Sequence, residues 1–275
     1  MQVHVLYVKL CLQQIKGGVL YEIIRSSCTH YRWYNRHWAG IGKSFIEAGS
    51  SVLVVDFDND HITKAKADVP ELQTYQADLS KAGDREKLAQ WITDNDAELD
   101  VLINNAGIQR WINLNHLDKS WEFYHQELAI NLEAQLHLIM LLLKQINQNG
   151  NGAIINVSSG LVINPGSWVP LYTASKFGVH GFTQALRWQM EDESTKVFEI
   201  FPPAVNTSLG GASEHTYGVS LDEFIPAVMQ QIEADNYDIT YGTSKEQYDA
   251  DKATNRKQDE MVWHMFKDNP TFKNA

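Results

Sequence analysis

The chain has 275 residues, 44% of them hydrophobic and 21% charged, which is enough for one large domain with a substantial buried core. Its net charge of −11 argues against nucleic acid or another polyanion as the main partner, and no apolar run reaches the ~20 residues of a membrane-spanning helix. Two cysteines, Cys11 and Cys28, cannot build a disulfide framework, and the opening MQVHVLYVKLCLQQ lacks the marks of a signal peptide, so a cytoplasmic home is expected.

In chain order, a helical stretch through Phe45 leads to the strand-like run SVLVV (51–55), a helix-like segment and QTYQADLS (73–80). The helical REKLAQWITDN and the apolar run LDVLINNAG (99–107) follow, then a long helix from Trp121 to Ile146. Next come the strand GAIINVSS (152–159), the helix YTASKFGVHGFTQALRWQM, the strand KVFEIFPPAV (196–205) and a helix from Leu221 to about Ala234. Short Val- and Ile-rich runs separated by helices predict parallel strands buried on both faces, hence one doubly wound α/β domain. Residues 246–275 form a charged tail with a few aromatics, for which a surface helix is expected.

Charge divides the chain near residue 39. Residues 1–38 carry five Lys/Arg against the single acid Glu22, together with both cysteines; the remainder is about −15.

Tyr172 and Lys176 stand at Y-x-x-x-K spacing, which puts both side chains on one helix face. A tyrosine hydroxyl titrates near ~10 and is a poor base; an adjacent ammonium favours the phenolate. Ser159 closes a strand thirteen residues earlier, where its hydroxyl can polarise a carbonyl. Asn131 is a polar residue among Leu and Ile in the long helix and demands a partner.

LINNAG (102–107), the Asn131 helix, INVSSG (155–160), YTASK (172–176) and PPAVNT (202–207) together resemble the short-chain dehydrogenase/reductase family in order and spacing. The resemblance spans roughly residues 30–245. It implies a Rossmann fold with Asn131, Ser159, Tyr172 and Lys176 as a catalytic tetrad. In that scheme Tyr172 is the general acid/base, Ser159 fixes the substrate oxygen, Lys176 binds the nicotinamide ribose, and Asn131 anchors a water. It also implies that Asn105, Ala106, Gly107, Tyr172, Lys176, Val205 and Thr207 meet the cofactor, that the substrate is a small molecule, and that the protein is a homo-oligomer. More narrowly, LINNAGIQ, INVSSGL, PPAVNTSLGG and ITYGTS are similar to oxidoreductases encoded with D-alanyl-lipoteichoic-acid genes. Pro203 stands where most of the family has Gly, a departure that the narrower group shares.

Asp56, ending the second strand, is placed to accept both ribose hydroxyls of an adenosine and to repel a 2′-phosphate. It predicts NAD, with NADP possible; a turn or cap aspartate is the competing reading. Asp78 matches the family's adenine-contacting aspartate and also suits a helix cap. The loop after Thr207, LGGASEHTYGVS, is expected to cover the site, with Trp168 and His215 as lining candidates against ordinary loop packing.

The stretch THYRWYNRHWAGIGKSF (29–45) sits where this family carries a glycine-rich phosphate loop. GIGKS is not a P-loop, because His37 occupies the place of its first glycine. Cys28, His30 and His37 lack the spacing of a zinc site. Counting back from Phe45, the loop should end near Trp38. His30–Trp38 can be encoded CAT TAC CGG TGG TAC AAC CGG CAT TGG; one base later this reads I-T-G-G-T-T-G-I-G, the family's fingerprint. Upstream, Tyr21–Thr29 in the same shifted frame can read M-K-L-F-D-Q-V-V-L, preceded by codons compatible with a ribosome-binding sequence. Residues 1–21 are therefore expected to be a non-native leader, 22–38 an out-of-frame image of the true start, and 22–245 the domain. A non-catalytic dinucleotide-binding or sensor protein on the same fold is the alternative function.

Overall fold

The computed structural model describes residues 4–9, 45–46, 49–95, 99–148, 150–206, 209 and 217–273. Seven strands form one sheet: β1 (His4–Lys9), β2 (Ser51–Asp56), β3 (Gln73–Gln76), β4 (Val101–Asn104), β5 (Ala153–Val157), β6 (Lys196–Phe201) and β7 (Asp238–Thr240), in the order β3-β2-β1-β4-β5-β6-β7. The pairs β2–β3, β4–β5, β5–β6 and β6–β7 are parallel. The helices are α1 (Asn59–Asp68), α2 (Ala82–Asn95), α3 (Trp121–Leu128), α4 (Ala134–Gln148), α5 (Pro170–Gln189), α6 (Leu221–Glu233), α7 (Thr243–Asp249), α8 (Lys252–Phe266) and α9 (Pro270–Lys273).

Alternation along the strands sorts the core into two layers, as a sheet covered on both faces requires. Leu102 and Ile154 point into one, with Leu138 and Leu142 of α4 and Leu186 of α5. Val101, Ile103, Ile155, Phe198 and Ile200 point into the other, with Phe224, Val228 and Ile232 of α6.

The central strand departs from the expected all-parallel sheet. β1 runs antiparallel to both neighbours: His4 opposes Asp56, Lys9 opposes Ser51, and Val8 opposes Val101. Residues 4–9, expected to lie in a leader outside the domain, thus fill the slot between β2 and β4 in reverse. The sequence HVLYVK is rich in strand-forming residues, which suits it to a place in the sheet. Its direction matters: the chain leaving Lys9 sets out from the edge where β2 and β4 begin. The stretch 22–38, expected to be an out-of-frame image of the true start, lies outside the described residues.

A row of polar residues crosses the sheet at one register: Asn104 opposes Asn156, which opposes Glu199, which opposes Asp238. Asn104 Nδ2 donates to Asn156 Oδ1 (2.9 Å). Helix α5 answers the row position by position. Asn156 Nδ2 donates to Thr183 Oγ1 (2.9 Å), His180 Nδ1 meets Glu199 Oε2 (3.0 Å), and Arg187 Nη1 donates to Asp238 Oδ1 (2.6 Å). Glu199 is fully buried, and its carboxylate draws the His180 pKa upward. Buried polar groups cost stability unless paired, so this seam fixes how α5 lies on the sheet.

The strand β7 was not foreseen; it has only three residues. The C-terminal tail is helical, as expected, but it is not mere surface. Phe266 of α8 stacks on Trp168 with ring centroids 4.0 Å apart, and Asn164 Nδ2 donates to Asn255 O (3.1 Å).

Candidate active site

The site lies beyond the carboxyl ends of β4, β5 and β6, where open α/β sheets bind ligands. A cleft of about 640 Å³ is lined by Asn105 and Gly107 after β4, Ser158–Gly160 after β5 and Pro202–Val205 after β6, with Tyr172 and Lys176 projecting from α5.

Each side chain is held by its local structure. Pro170 opens α5 at a position where its missing N–H costs nothing, and Tyr172 and Lys176 follow on the face turned toward the sheet. Ser159 adopts extended backbone and caps the short 3₁₀ turn Gly160–Val162, its Oγ accepting from Leu161 N (3.1 Å). Gly160 N donates to Pro202 O (2.9 Å), and a Cβ at Gly160 would come within 3.3 Å of that oxygen, so glycine permits the close approach. Asn131 sits in a π-helical turn, Ala129–Glu133, between α3 and α4. Its amide clamps the loop after β4: Oδ1 accepts from Ile108 N and Nδ2 donates to Ile108 O, each at 2.8 Å. Nδ2 also reaches Ser175 Oγ (3.3 Å). Asn131 thus stands one layer behind the cleft wall.

Burial dominates the electrostatics. Tyr172 is pushed up to about 12 by burial, eased by the Ser159 hydroxyl and raised further by the nearby Glu127 charge. Lys176 is pulled down to about 8 by burial, against the support of Glu199 and Glu127. Its Nζ donates to Val157 O (2.8 Å) and lies 5.6 Å from the Tyr172 ring centroid. The expected lowering of the tyrosine by its lysine is therefore outweighed by desolvation. Tyr172 keeps its proton throughout the neutral range.

Glu127 is a member of the site that sequence reading missed. On α3 it reads as an ordinary helix carboxylate, yet it is fully buried, and burial pushes it up to about 8 despite Arg110 and Lys176. One oxygen accepts from Arg110 N (3.2 Å); the other has no hydrogen-bond partner. Its spacing from Asn131, one helical turn ahead, was the available signal. A carboxyl whose folded pKa is raised makes its full contribution below the unfolded value near 4.5 and loses it as pH rises to about 8. Lys176, depressed to about 8, works oppositely: its penalty is relieved between about 8 and 10.5. Glu127→Gln, which keeps an acceptor for Arg110, should remove the downward slope of stability between those first two values. The gain at pH 8 should be roughly 1–3 kcal/mol in urea unfolding. Parallel slopes in the two proteins would contradict the buried-acid reading.

The remaining expected site residues divide into two groups. Asn105, Gly107 and Val205 line the cleft with Ser159, Tyr172 and Lys176, and Ala106 is buried between the first two. Trp168 lines the cleft as well. Asp56 and Asp78 lie across the sheet, beyond β1. Asp56 is 1% exposed; its Oδ1 accepts from Asp58 N (2.9 Å), and Oδ2 lies 3.3 Å from His61 Nδ1. Asp78 accepts from the Ser80 hydroxyl (2.6 Å) and amide, and Lys81 Nζ lies 3.1 Å away. Burial raises its pKa, but Ser80 and Lys81 together win and hold it below the usual value. Thr207 and His215 lie outside the described residues.

The residues present fit one end of a nicotinamide dinucleotide. Gly107 is close-packed there: a Cβ would stand 3.5 Å from Asn131 Oδ1 and 3.8 Å from Lys176 Nζ. Lys176, Tyr172 and Asn105 offer polar groups beside the apolar Val205. At the pyrophosphate end the fit fails in one respect. A parallel central strand would deliver a glycine turn to the cleft edge, whereas β1 ends at the opposite edge.

Residues 39–218 match the model of the short chain dehydrogenase family. The chain belongs to that family. Short-chain dehydrogenases are enzymes, oxidoreductases that use NAD(P) on small-molecule substrates, and this is the class of the present chain. It is 32% identical over 211 residues to the uncharacterized oxidoreductase DltE of Bacillus subtilis, covering 74% of this chain and 84% of that one, in keeping with the narrower resemblance. It is also 32% identical over 185 residues to human 15-hydroxyprostaglandin dehydrogenase (NAD(+)), covering 62% and 66%. A short-chain dehydrogenase from Streptomyces avermitilis shares the fold, with a TM-score of 0.69 at 15% identity over 85% of this chain and 95% of the other. One from Sphingobium yanoikuyae, solved with NADPH, gives 0.63 at 20% identity over 76% and 84%.

Proposed function

We propose that this short-chain dehydrogenase interconverts an alcohol and a carbonyl on a small organic molecule, with Tyr172 as the general acid/base. The reading is carried by the convergence of Ser159, Tyr172 and Lys176 in one cleft at the carboxyl ends of β4–β6. A bound nicotinamide supplies or takes up the hydride. Ser159 Oγ accepts the Leu161 N–H and meets the Tyr172 hydroxyl; on this reading it turns its own proton to the substrate oxygen. Tyr172, protonated at neutral pH, gives its proton to that oxygen as the carbonyl becomes an alcohol and recovers it in the reverse direction. Lys176 and Asn105 present polar groups to the ribose, and Asn131 holds the loop that carries Ile108. The decisive experiment is turnover of a carbonyl panel with and without Tyr172.

The reversed β1 supports a second reading, in which the chain as it stands keeps the fold and the cleft without turnover. We infer that residues 22–38 are the shifted image of a glycine loop.

NAD is proposed as the preferred cofactor on the strength of Asp56 at the end of β2. Its hydrogen bond from Asp58 N is compatible with a turn role too. In a chain whose glycine loop is restored, Asp56→Ala should weaken NADH about tenfold, the value of one charge-assisted hydrogen bond, and leave NADPH nearly unchanged. Preference of the unsubstituted restored chain for NADPH would assign Asp56 to the turn alone. Exposed Met140 and Leu141 on α4 and Phe177 and Trp188 on α5 support the expected homo-oligomer, and a cytoplasmic location remains the proposal.

A further inference from the structure

The cleft has one chemical property that its catalytic residues do not require. Among the described residues lining it there is no Asp, Glu, His or Arg; the ionisable side chains are Tyr172, Lys176 and Tyr217. Lys176 is committed, 2% exposed and donating to Val157 O. The outer wall is aromatic and apolar. Trp111 follows β4, Trp168 precedes α5, and Phe266 reaches in from α8. Phe266 stacks flat on Trp168, with 5° between the ring planes, and meets Trp111 edge-on at 5.2 Å. Met265 beside it is 61% exposed, an unbranched and adaptable side chain at the rim.

Such a wall selects by cost. An apolar ring entering it leaves water and gains flat aromatic surface. A carboxylate or phosphate would lose its hydration with no free cation to meet it among the described residues. The C-terminal segment is what completes this wall, and α8, which has no fully buried residue of its own, is attached near the cleft by contacts that include the aromatic stack and the Asn164–Asn255 hydrogen bond.

We propose that the substrate is an uncharged ketone or aldehyde, or the corresponding alcohol, bearing an aromatic or alicyclic ring that packs against Trp111, Trp168 and Phe266. This rests on the alcohol–carbonyl reading above and goes beyond it, because nothing in the tetrad dictates charge or ring content. The same lining disfavours anionic polymers and keto acids.

Binding can be read without turnover, on the natural chain, through quenching of tryptophan fluorescence by a matched pair of probes: methyl 4-oxo-4-phenylbutanoate and the free acid. The two differ in charge and little else. The neutral ester should quench saturably, and the acid should bind about tenfold or more weakly, the equivalent of ~1.4 kcal/mol. Trp168→Phe should remove much of the signal and, with a smaller ring in the wall, weaken the ester modestly. Phe266→Ala should weaken the ester about fivefold or more and leave the acid unchanged. Met265→Lys alters an exposed side chain, so folding is not at stake, and should tighten the acid relative to the ester. Melting curves of each variant separate lost binding from lost structure. Equal or tighter binding of the acid, or acetoacetate binding as well as the ester, would overturn the proposal. Saturable ester binding by a restored chain that turns over no carbonyl would instead remove the enzymatic reading and leave the pocket's preference standing. Turnover of keto acids without ester binding would do the reverse.

Discussion

Replacing residues 1–38 by MKLFDQVVLITGGTTGIG should tighten NADH binding by about two orders of magnitude or more and raise the melting temperature by ~10 °C. Both effects follow from the middle of the sheet. In the present chain the slot between β2 and β4 is filled by His4–Lys9 running against its neighbours, and its end points away from the cleft. A parallel VVLITGG strand would turn at the cofactor edge and aim the N–H groups of a helix start at the pyrophosphate. Two or three charge-assisted hydrogen bonds at ~1.5 kcal/mol or more each give the expected gain in affinity. A continuous covalent path from strand to helix also removes the need to bring a distant segment into the core. About 3 kcal/mol from better strand packing corresponds to the melting shift. Calorimetry with NADH and thermal melting of the two chains make the comparison. Equal affinity and equal melting would mean that residues 1–38 are functional as written.

The second large effect belongs to Tyr172. In the restored chain, Tyr172→Phe should lower kcat for carbonyl reduction about 10³-fold, within the usual span of general acid catalysis, while NADH affinity changes less than about threefold. The buried ring stays; only the hydroxyl that meets Ser159 is lost. On the proposed reading, in which its ammonium meets the ribose, Lys176→Ala should lower both kcat and NADH affinity. The pH profile carries its own sign. With Tyr172 raised to about 12, the acid is present throughout the working range and does not limit the rate. Lys176 sheds its charge as pH passes about 8, so reduction should decline above that point. A Tyr172→Phe enzyme with more than a tenth of the parent kcat would transfer the acid role to another group.

Much of this was legible in the order of residues. Val/Ile runs marked β2, β4, β5 and β6 because strands covered on both faces have no polar side to show. Tyr172 and Lys176 were legible because helical spacing is local, and Ser159 because strand ends are. What could not be read depended on pairing between distant segments. Asn104, Asn156, Glu199 and Asp238 form a row only once three strand registers are fixed, and nothing in any one strand announces it. Glu127 looks like a solvated helix residue until α3 packs on α5 and seals it. The tail looked like charged surface because charged residues dominate its start at DKATNRKQDE (251–260), and the stacking partner of Phe266 lies nearly a hundred residues away. The direction of β1 was invisible for a simpler reason: alternation has no arrow. A strand read backward shows the same pattern of apolar positions.

That last property has a consequence for how the molecule is assembled. Strands β3-β2 on one side and β4-β5-β6-β7 on the other share no ladder except through β1, so the sheet is two half-sheets joined by a six-residue key. A key defined by composition rather than by polarity need not be covalently its own. A free peptide, or the corresponding segment of a second copy, meets the same two edges with the same backbone groups. Concentration would then enter the domain's folding, as it does wherever a strand edge can be met by another chain.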